Sequence, residues 1–330
     1  DLLVAAGKTG RTGGFRNDGG HFTPLNLGLP PAAGDQTTIL EVPDGAGGKV
    51  LLIGQSSYEA ESFQAALALP SVLAVPLDAR GRRAGPTTPA VPGDTASIGP
   101  LALADYDQDG DLDLLVGGRI FPGNYPLSPA TRLFRNDGRG RFVLDTANVA
   151  VFQHLGMVSA ALFSDLDGDG DPDILLAVEW GPLKFFRNDH GRFTPGPASF
   201  GFDRVYSRWL GLATGDFDQD GRPDIVATSW GRNVRPKADS ITPLYLYFGN
   251  FDSNGSLDFL LAQDDPRIGA LAPLASFARL SRAMPSVAQR VRSFHAYADA
   301  SVLKVLGPAA RTALRLGVNT FDHLVWLNRG

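Results

Sequence analysis

Aspartates at alternate positions of short, glycine-containing stretches are the residues of this sequence whose types and spacing could do chemistry. The stretch DLDGDGDPD, residues 165–173, has five aspartates in nine positions and is followed directly by the apolar run ILL. Carboxylates crowded this closely repel one another unless a cation neutralises them. The pattern therefore predicts a binding site for a hard cation.

The same pattern recurs in register along the chain. DYDQDGDLD (105–113) and DFDQDGRPD (216–224) share the alternating acids, the glycine at position six and the aspartate at position nine, and NFDSNGSLD (250–258) is a weaker copy. Each copy lies between two apolar runs of strand length. The side chains at positions one, three, five and nine can converge on one centre, and the carbonyl oxygen of position seven can join them.

An all-oxygen set of this kind favours calcium, which accepts a flexible, high coordination number, over magnesium, which requires a small octahedron. We predict three Ca²⁺ sites and a possible fourth. In the fourth loop, Asn254-Gly255 could instead form a simple hairpin turn, and any of the loops could be a solvated acidic turn without an ion. The predicted ligands in the four loops are Asp105, Asp107, Asp109, Asp111 and Asp113; Asp165, Asp167, Asp169, Asp171 and Asp173; Asp216, Asp218, Asp220, Arg222 and Asp224; and Asn250, Asp252, Asn254, Ser256 and Asp258.

An EF-hand is excluded although it begins with a similar pattern. That loop needs a glutamate at position twelve, where these loops carry Val116, Leu176 and Ala227, and it needs flanking helices. The loops here connect strands.

A second phrase, Phe-Arg-Asn-Asp followed by glycine, recurs at residues 15–22, 134–142 and 186–193, and VWLNRG at the C-terminus is an incomplete copy. Asn, Asp and Gly tolerate positive φ, so the phrase predicts a hairpin turn between two outer strands. The two phrases alternate, and the acidic loops at Asp105, Asp165 and Asp216 begin 60 and 51 residues apart. Four strands at such a period are typical of a β-propeller blade.

The sequence thus predicts an all-β fold, a β-propeller of four-stranded blades within a single domain spanning residues 1–330. Stations that resemble blades begin near residues 1, 36, 98, 156, 208 and 244. The second station keeps its strands but lacks the acids, so we expect it to fold without an ion. Residues 265–316 predict short amphipathic helices inserted in the propeller, either a cap on the disc edge or a partner-binding element.

The two phrases together resemble the FG-GAP, or VCBS, repeat family, the calcium-loop β-propellers of integrin α-subunit heads and of many secreted or surface bacterial proteins. The segments at 116–142, 155–189 and 246–261 are most similar to bacterial propellers that carry an ASPIC/UnbV segment. The resemblance implies calcium ions in hairpins on one face of the disc, a partner on the opposite face, and a full propeller of about seven blades. Asp1 stands where a ninth loop position belongs, so this chain is expected to be a fragment truncated at both ends.

No catalytic signature is found in the sequence: it has no H-E-x-x-H, no G-x-S-x-G and no P-loop. Zinc ligation by cysteine is excluded because the chain has no cysteine, and the histidines, which lack metal-ligand spacing, are expected to be packing or surface residues: His21, His154, His190, His295 and His323. No basic run with interleaved aromatics suggests nucleic acid. No apolar stretch reaches the length of a membrane span.

A candidate ligand surface lies at the rim where the strand after each acidic loop ends. Glu179 and Trp180 occupy this position in one station, Trp230 in the next and Arg119 in the preceding one. Aromatic and charged groups at a shared rim could hold a sugar or a peptide. The alternative is that both tryptophans pack between blades.

The leading functional hypothesis is a non-catalytic, calcium-binding adhesion or binding module with a protein or glycan partner. Because weak calcium sites need an extracellular calcium level, we expect an extracellular, cell-surface or periplasmic location. A carbohydrate-active enzyme or lectin on the same scaffold is the alternative, and a purely structural spacer is a third option.

Overall fold

A computed structural model of the chain describes residues 1–44 and 48–330. Within these residues the chain forms six antiparallel sheets and a few short helices. The predicted all-β class is therefore confirmed. Among the described helices, none is long and apolar enough to cross a membrane.

The first two sheets follow the chain order of their strands, β1-β2-β3 and β4-β5-β6-β7. Their elements are β1 (Leu2–Val4), β2 (Gly13–Asp18), β3 (His21–Leu25), β4 (Asp35–Pro43), β5 (Lys49–Ser56), α1 (Phe63–Ala68), β6 (Val72–Leu77) and β7 (Thr88–Val91). Both strands β4 and β5 belong to the station that is predicted to have no ion, and residues 45–47, between them in the sequence, lie outside the described residues.

The next two sheets have the predicted blade order, with the acidic loop between their first and second strands and the Phe-Arg-Asn-Asp hairpin between their third and fourth. A short strand, β16, pairs with the far end of β13. The elements are β8 (Ser97–Ala104), β9 (Asp113–Ile120), β10 (Arg132–Asn136), β11 (Phe142–Leu144), β12 (Met157–Ser164), β13 (Asp173–Gly181), β14 (Lys184–Asp189), β15 (Arg192–Pro195), two 3-10 helices (Ala198–Phe200 and Phe202–Arg204) and β16 (Ser207–Arg208).

The remaining elements form two further sheets, one of them nested inside the other. The elements are β17 (Gly211–Gly215), β18 (Asp224–Thr228), β19 (Leu244–Gly249), β20 (Asp258–Asp265), β21 (Ala270–Pro273), α2 (Phe277–Ala283), α3 (Pro285–Val291), α4 (Phe294–Ala298), α5 (Val302–Leu306), a 3-10 helix (Gly307–Arg311), β22 (Leu314–Val318) and β23 (Leu324–Trp326). The sheet orders are β17-β18-β23 and β21-β20-β19-β22.

The sequence predicted that the station near residue 244 follows the station near residue 208 as a separate unit. The pairing of β18 with β23 corrects this expectation. Strand β23 pairs with β18, as Ile225 opposite Trp326 shows, so residues 229–323 are inserted between the second and third strands of one sheet. The C-terminal copy of the Phe-Arg-Asn-Asp phrase thus occupies the third-strand position of the sheet that begins at Gly211. Residues 265–316 hold the predicted short helices together with β21 and the start of β22.

The edge strands that precede the loops pack side by side in the order β4, β8, β12 and β17. Apolar side chains from adjacent sheets fill the space between them: Leu115 and Val158, for example, share one buried cluster with Ile174. In the sheet of β12–β15, every residue of β13 is buried. This packing fixes the two ends of each strand, with the acidic loops at one end and the candidate rim at the other.

Candidate functional site

The acidic loops share one backbone conformation. Positions four and six have positive φ in all four loops: at position six, Gly110, Gly170, Gly221 and Gly255 have φ of 96°, 93°, 87° and 89°. No atom of the described residues lies within 4 Å of a Cβ built on these glycines, so it is the left-handed backbone rather than space that favours glycine there. The recurring glycine of the sequence is therefore explained by the shape of the turn.

Position one closes each of the three aspartate-rich loops. In the first loop Asp105 accepts hydrogen bonds from the backbone N–H groups of Asp109 and Gly110, both at 3.0 Å. Asp216 accepts the corresponding pair of bonds in the third loop, and in the second loop Asp165 accepts from the N–H groups of Gly168 at 2.7 Å and Gly170 at 3.0 Å. These bonds turn the loop inward and point its other carboxylates toward the same space.

Three of the predicted ligand positions come together. The carboxylates at positions one, three and nine each offer an oxygen, and the three oxygens lie within 4.8 Å of one another in all three loops. The three groups are Asp105, Asp107 and Asp113; Asp165, Asp167 and Asp173; and Asp216, Asp218 and Asp224. The arrangement offers carboxylate oxygens only, the donor type preferred by calcium and magnesium.

Position five makes different contacts. Asp109 and Asp220 accept a hydrogen bond at 3.0 Å from the backbone N–H two residues later, and Asp169 does the same while also pairing with Arg187 at 2.9 Å. The structure thus brings positions one, three and nine together, and the ligand role predicted for position five stays a prediction. The role predicted for position seven, a carbonyl ligand, stays a prediction.

The aspartate at position nine is the most buried ligand of each loop. Asp113 and Asp173 have no solvent exposure, and burial raises the pKa of Asp113 to about 7 and that of Asp173 to about 6. Asp224 is equally inaccessible, but a hydrogen bond from the Asn328 N–H lowers its pKa. In the first two loops a carboxylate therefore ionises only at a cost that a bound cation would offset.

The aspartate at position three of the first loop has a buried oxygen whose partner is not supplied by the described residues. Asp107 has a side chain 9% exposed, and its Oδ1 is buried without a hydrogen-bond partner among the described residues. Burial raises the pKa of Asp107, and the neighbouring Asp109 carboxylate raises it further. A cation held by Asp105, Asp107 and Asp113 would satisfy this oxygen, so the residues present fit a calcium ion.

An arginine from the hairpin phrase lies against each group of carboxylates. Arg135 pairs with Asp107 at 2.8 Å and Arg187 with Asp167 at 2.6 Å. In the third loop the partner of Asp218 is Arg329, at 2.5 Å. These guanidinium groups offset part of the carboxylate charge from the outer side.

The asparagine of the same phrase anchors position nine. The backbone N–H of Asn136 donates to Asp113 at 2.8 Å, that of Asn188 to Asp173 at 2.9 Å, and that of Asn328 to Asp224 at 2.8 Å. Asn17 makes the same bond to Asp1 at 3.0 Å, so Asp1 has the contact of a ninth position. From the sequence, this phrase predicted only a turn. The phrase follows each of the three acidic loops along the chain, and this regularity was a signal that its asparagine contacts position nine.

The fourth loop keeps the turn but not the group of three carboxylates. Asp258 accepts the N–H of Phe251 at 3.0 Å, as position nine does in the other loops. Asn254 instead donates to Asp252 at 3.0 Å through its side-chain amide. With two carboxylates and two amides, this loop offers a cation less charge than the other three, and its loading stays a prediction.

At the opposite end of the strands, the structure brings the predicted rim residues together. Arg119 pairs with Glu179 at 2.5 Å, and Arg208 pairs with the other oxygen of the same carboxylate. The guanidinium of Arg208 lies 3.4 Å from the ring centroid of Trp230 and 5.4 Å from that of Trp180. Eight-residue strands separate this cluster from the acidic loops by about 24 Å.

The two tryptophans are not open stacking platforms. Trp180 is 4% exposed, and its indole N–H donates to the Tyr125 hydroxyl at 2.5 Å. Trp230 is stacked on Phe321 on one side and has Arg208 over its ring. Their packing agrees with the alternative that they are structural, while Arg119 and Glu179 face a cavity.

Sequence analysis missed Arg208, Tyr125 and Asp35, which share this cavity of about 610 Å³. Asp35 is the first residue of β4 and Arg208 the last residue of β16. Antiparallel pairing places Asp35 opposite Ser56 at the end of β5 and Arg208 opposite Glu179 near the end of β13. It also missed that His190 Nδ1 lies 3.2 Å from Asp171 and from Asp189. That group is largely exposed, since the side chains of His190 and Asp189 are 81% and 85% exposed.

Three solved structures show a likeness to this chain. The BBS1N structure in complex with ARL6DN is 11% identical with a TM-score of 0.37, and the chain's match covers 68% of this chain and 53% of that one. Rhamnogalacturonan lyase PL11 of Bacillus licheniformis is 16% identical with a TM-score of 0.33, and its match covers 72% of this chain and 48% of the lyase. The exotype rhamnogalacturonan lyase YesX is 14% identical with a TM-score of 0.35, and its match covers 82% of this chain and 52% of YesX. The chain spans about half the length of each structure, and TM-scores of this size assign no function.

The comparison of sequences gives a family for one segment. No curated protein matches the chain. Residues 165–227 match the family described as FG-GAP-like repeat, a match that begins at the first aspartate of the second acidic loop and ends in the strand after the third. The second and third groups of carboxylates thus lie in the segment that is similar to this repeat.

Proposed function

We propose that this chain is a calcium-binding β-propeller module that works outside the cytoplasm as a non-catalytic binding or adhesion module. The observation that carries the proposal is the convergence of three aspartate oxygens within 4.8 Å in three loops of one repeated design. Calcium suits these loops better than magnesium because their ligands sit on a flexible turn and are numerous. Bound ions would tie the first two strands of each sheet together at one end.

The propeller architecture is supported by the sheets themselves. Four first strands pack side by side, and in three of these sheets, which begin with β4, β8 and β12, the remaining strands follow in chain order, which is how blades are arranged around an axis. This module has a cavity beside Arg119 and Glu179 that is lined by the ends of the strands opposite the loops. We propose that its protein or glycan partner binds there.

The experiment is a thermal melt of the purified chain with millimolar calcium, with magnesium and with chelator. We expect a rise of several degrees that is specific to calcium, because the ions bind only the folded loops. Asp167→Asn should remove part of the rise by weakening one site. Asp264→Asn, which removes an exposed carboxylate outside the loops, is the matched control and should leave the rise intact. Equal melting temperatures in calcium and chelator would contradict the proposal.

A lectin or carbohydrate-active enzyme is the second candidate, and the cavity beside Arg119 and Glu179 is the observation that favours it. Of the two, a lectin fits better, because both oxygens of Glu179 are engaged by guanidinium groups and the carboxylate is not placed to exchange a proton. Screening the calcium-loaded chain on a glycan array would separate a glycan-binding module from one with a protein partner. Turnover of any glycan would favour the enzyme.

A further inference from the structure

We propose that the cavity opposite the acidic loops binds a small carboxylate that carries several hydroxyl groups, the chemical class of the sugar acids. The cavity measures about 610 Å³, within the range of small-molecule sites, and it is lined by residues of three neighbouring sheets. Its walls combine two arginines, two carboxylates and several hydroxyl groups, and the argument rests on six of them: Asp35, Ser56, Ser97, Arg119, Glu179 and Arg208.

One wall has a surplus of one positive charge. Arg119 and Arg208 share the single carboxylate of Glu179, whose side chain is 2% exposed. Two guanidinium groups offer more donors than one carboxylate can accept. A second carboxylate, supplied by a ligand, would complete the charge balance of this wall.

The side chain of Arg208 is fixed in place before such a ligand binds. The faces of Trp230 and Trp180 flank its guanidinium, which limits its motion. Its Nε–H is buried and has no hydrogen-bond partner among the described residues. A buried donor without a partner is costly, and a ligand oxygen would remove that cost.

The backbone beside this wall is strained in a way that helps to shape it. Trp180, directly after Glu179, has φ of 64°, a conformation that large L-residues rarely adopt. The pairing of β13 with β16 shifts register at this point, between Glu179 and Gly181. Such strain persists where the surrounding structure requires it and is concentrated at ligand sites.

Three further lining residues match hydroxyl groups of a ligand. Ser56 and Ser97 hydrogen-bond to each other at 2.8 Å, which leaves one hydroxyl hydrogen of the pair to donate to a ligand. Asp35 accepts the backbone N–H of Lys8 at 2.8 Å through Oδ1, and a carboxylate has further lone pairs for ligand hydroxyls. The negative charge of Asp35 also disfavours a dianion such as a phosphate ester, so the ligand is a monoanion.

This inference rests on the proposed function in one respect, that this face is the binding face. The test is titration calorimetry of the full, calcium-loaded chain with methyl galacturonoside and methyl glucuronoside, and with the neutral galactoside and glucoside as comparisons. We expect one of the acids to bind at least about tenfold more tightly than its neutral counterpart, the scale of a charge-assisted pair. Acetate, which lacks hydroxyls, should bind more weakly than the acids.

Arg119→Gln should weaken binding of the acid by about tenfold or more. Arg132→Gln is the matched control, because Arg132 is also a partly buried, ion-paired arginine but lies outside the cavity. If Arg119→Gln does not fold, Arg119→Lys keeps the charge while losing the forked donors and should give a smaller loss.

Equal affinity for acid and neutral sugar, or unchanged affinity in folded Arg119→Gln, would overturn the inference. A chain that melts higher in calcium but binds none of the acids would also overturn it while leaving the calcium module standing. A chain without a calcium response would overturn the proposed function instead.

Discussion

The backbone N–H of Asn188 donates to Oδ1 of Asp173 at 2.9 Å, and the Asn188 side chain donates to the carbonyl of Tyr106 at 2.8 Å. One residue thus connects the buried ligand of the second acidic loop to the backbone of the first. Asn328 repeats the arrangement one loop later, with bonds to Asp224 and to the carbonyl of Leu166. The loops are therefore coupled from sheet to sheet through asparagine side chains rather than through the ions alone.

Asn188→Ala should lower the free energy of unfolding by about 2–3 kcal/mol, because it leaves the buried carbonyl of Tyr106 and the N–H of Gly191 without partners. The backbone bond to Asp173 remains, so the loss measures the coupling between loops. Urea unfolding with calcium and with chelator would show it under both conditions. Asn124→Ala, at an exposed turn, is the control and should change stability by less than about 0.5 kcal/mol. A similar small effect for Asn188→Ala would contradict the coupling.

Arg187→Gln should destabilise the chain more in chelator than in calcium. Arg187 pairs with Asp167 at 2.6 Å and with Asp169 at 2.9 Å, so without an ion it is a main source of positive charge for these carboxylates. Once calcium is bound, that charge is less needed. The calcium-induced rise in melting temperature should therefore be larger in Arg187→Gln than in the wild type. Arg192→Gln, an exposed arginine on β15, should leave the rise unchanged, and a smaller rise in Arg187→Gln would contradict the idea.

The sequence was sufficient to predict the strands that flank each loop and the convergence of positions one, three and nine. These features are local: strand alternation and a turn with two left-handed residues bring Asp165, Asp167 and Asp173 together without help from distant parts of the chain. Repetition of the pattern made the prediction stronger than a single copy could. The ligand role predicted for position five stays a prediction, and Oδ1 of Asp169 also accepts a backbone N–H of the same turn.

Features that depend on distant pairing could not be predicted. Strand β23 is separated from β18 by almost one hundred residues, and no local signal shows that Trp326 lies opposite Ile225. The same holds for the cavity: Arg208 becomes a site residue only because β16 pairs with the end of β13 and places it against Glu179. Trp180 looked exposed at a rim, but the inserted sheet packs over it, with Leu244 and Val318 in the same buried cluster.

The stability of the calcium-free chain should rise as pH falls from 8 to about 5. Asp113 and Asp173 have pKa values of about 7 and 6 in the fold, above the value of about 4 for an unfolded chain. The fold therefore binds these protons more tightly, and their stabilising contribution is complete below about pH 4 and lost as pH rises through 6 to 7. Carboxylates with a lowered pKa, such as Asp239 and Asp265, reduce the stability of the fold as pH falls, but only at pH values near and below about 4, where they take up protons.

Urea unfolding in chelator at a series of pH values measures this dependence. Calcium binding should follow the opposite trend, since protons compete with the ion for Asp113 and Asp173, and its affinity should fall below about pH 7. Titration calorimetry in two buffers of different ionisation enthalpy would detect the released protons. A chelated chain that is most stable at pH 8 would contradict the assignment.

Adding two carboxylates to the fourth loop should create a stronger calcium site. Asn250→Asp with Asn254→Asp restores the pattern of the other loops on a backbone that already has their turn, with Ser253 and Gly255 at φ of 63° and 89°. The added charge should raise affinity because ligand charge sets the strength of such sites. Equilibrium dialysis at a calcium concentration that fills only the first three loops should then show one additional bound ion. Asn124→Asp with Asn233→Asp adds the same charge at exposed positions and should add no ion; an equal gain there would mean that net charge, not loop geometry, draws the calcium.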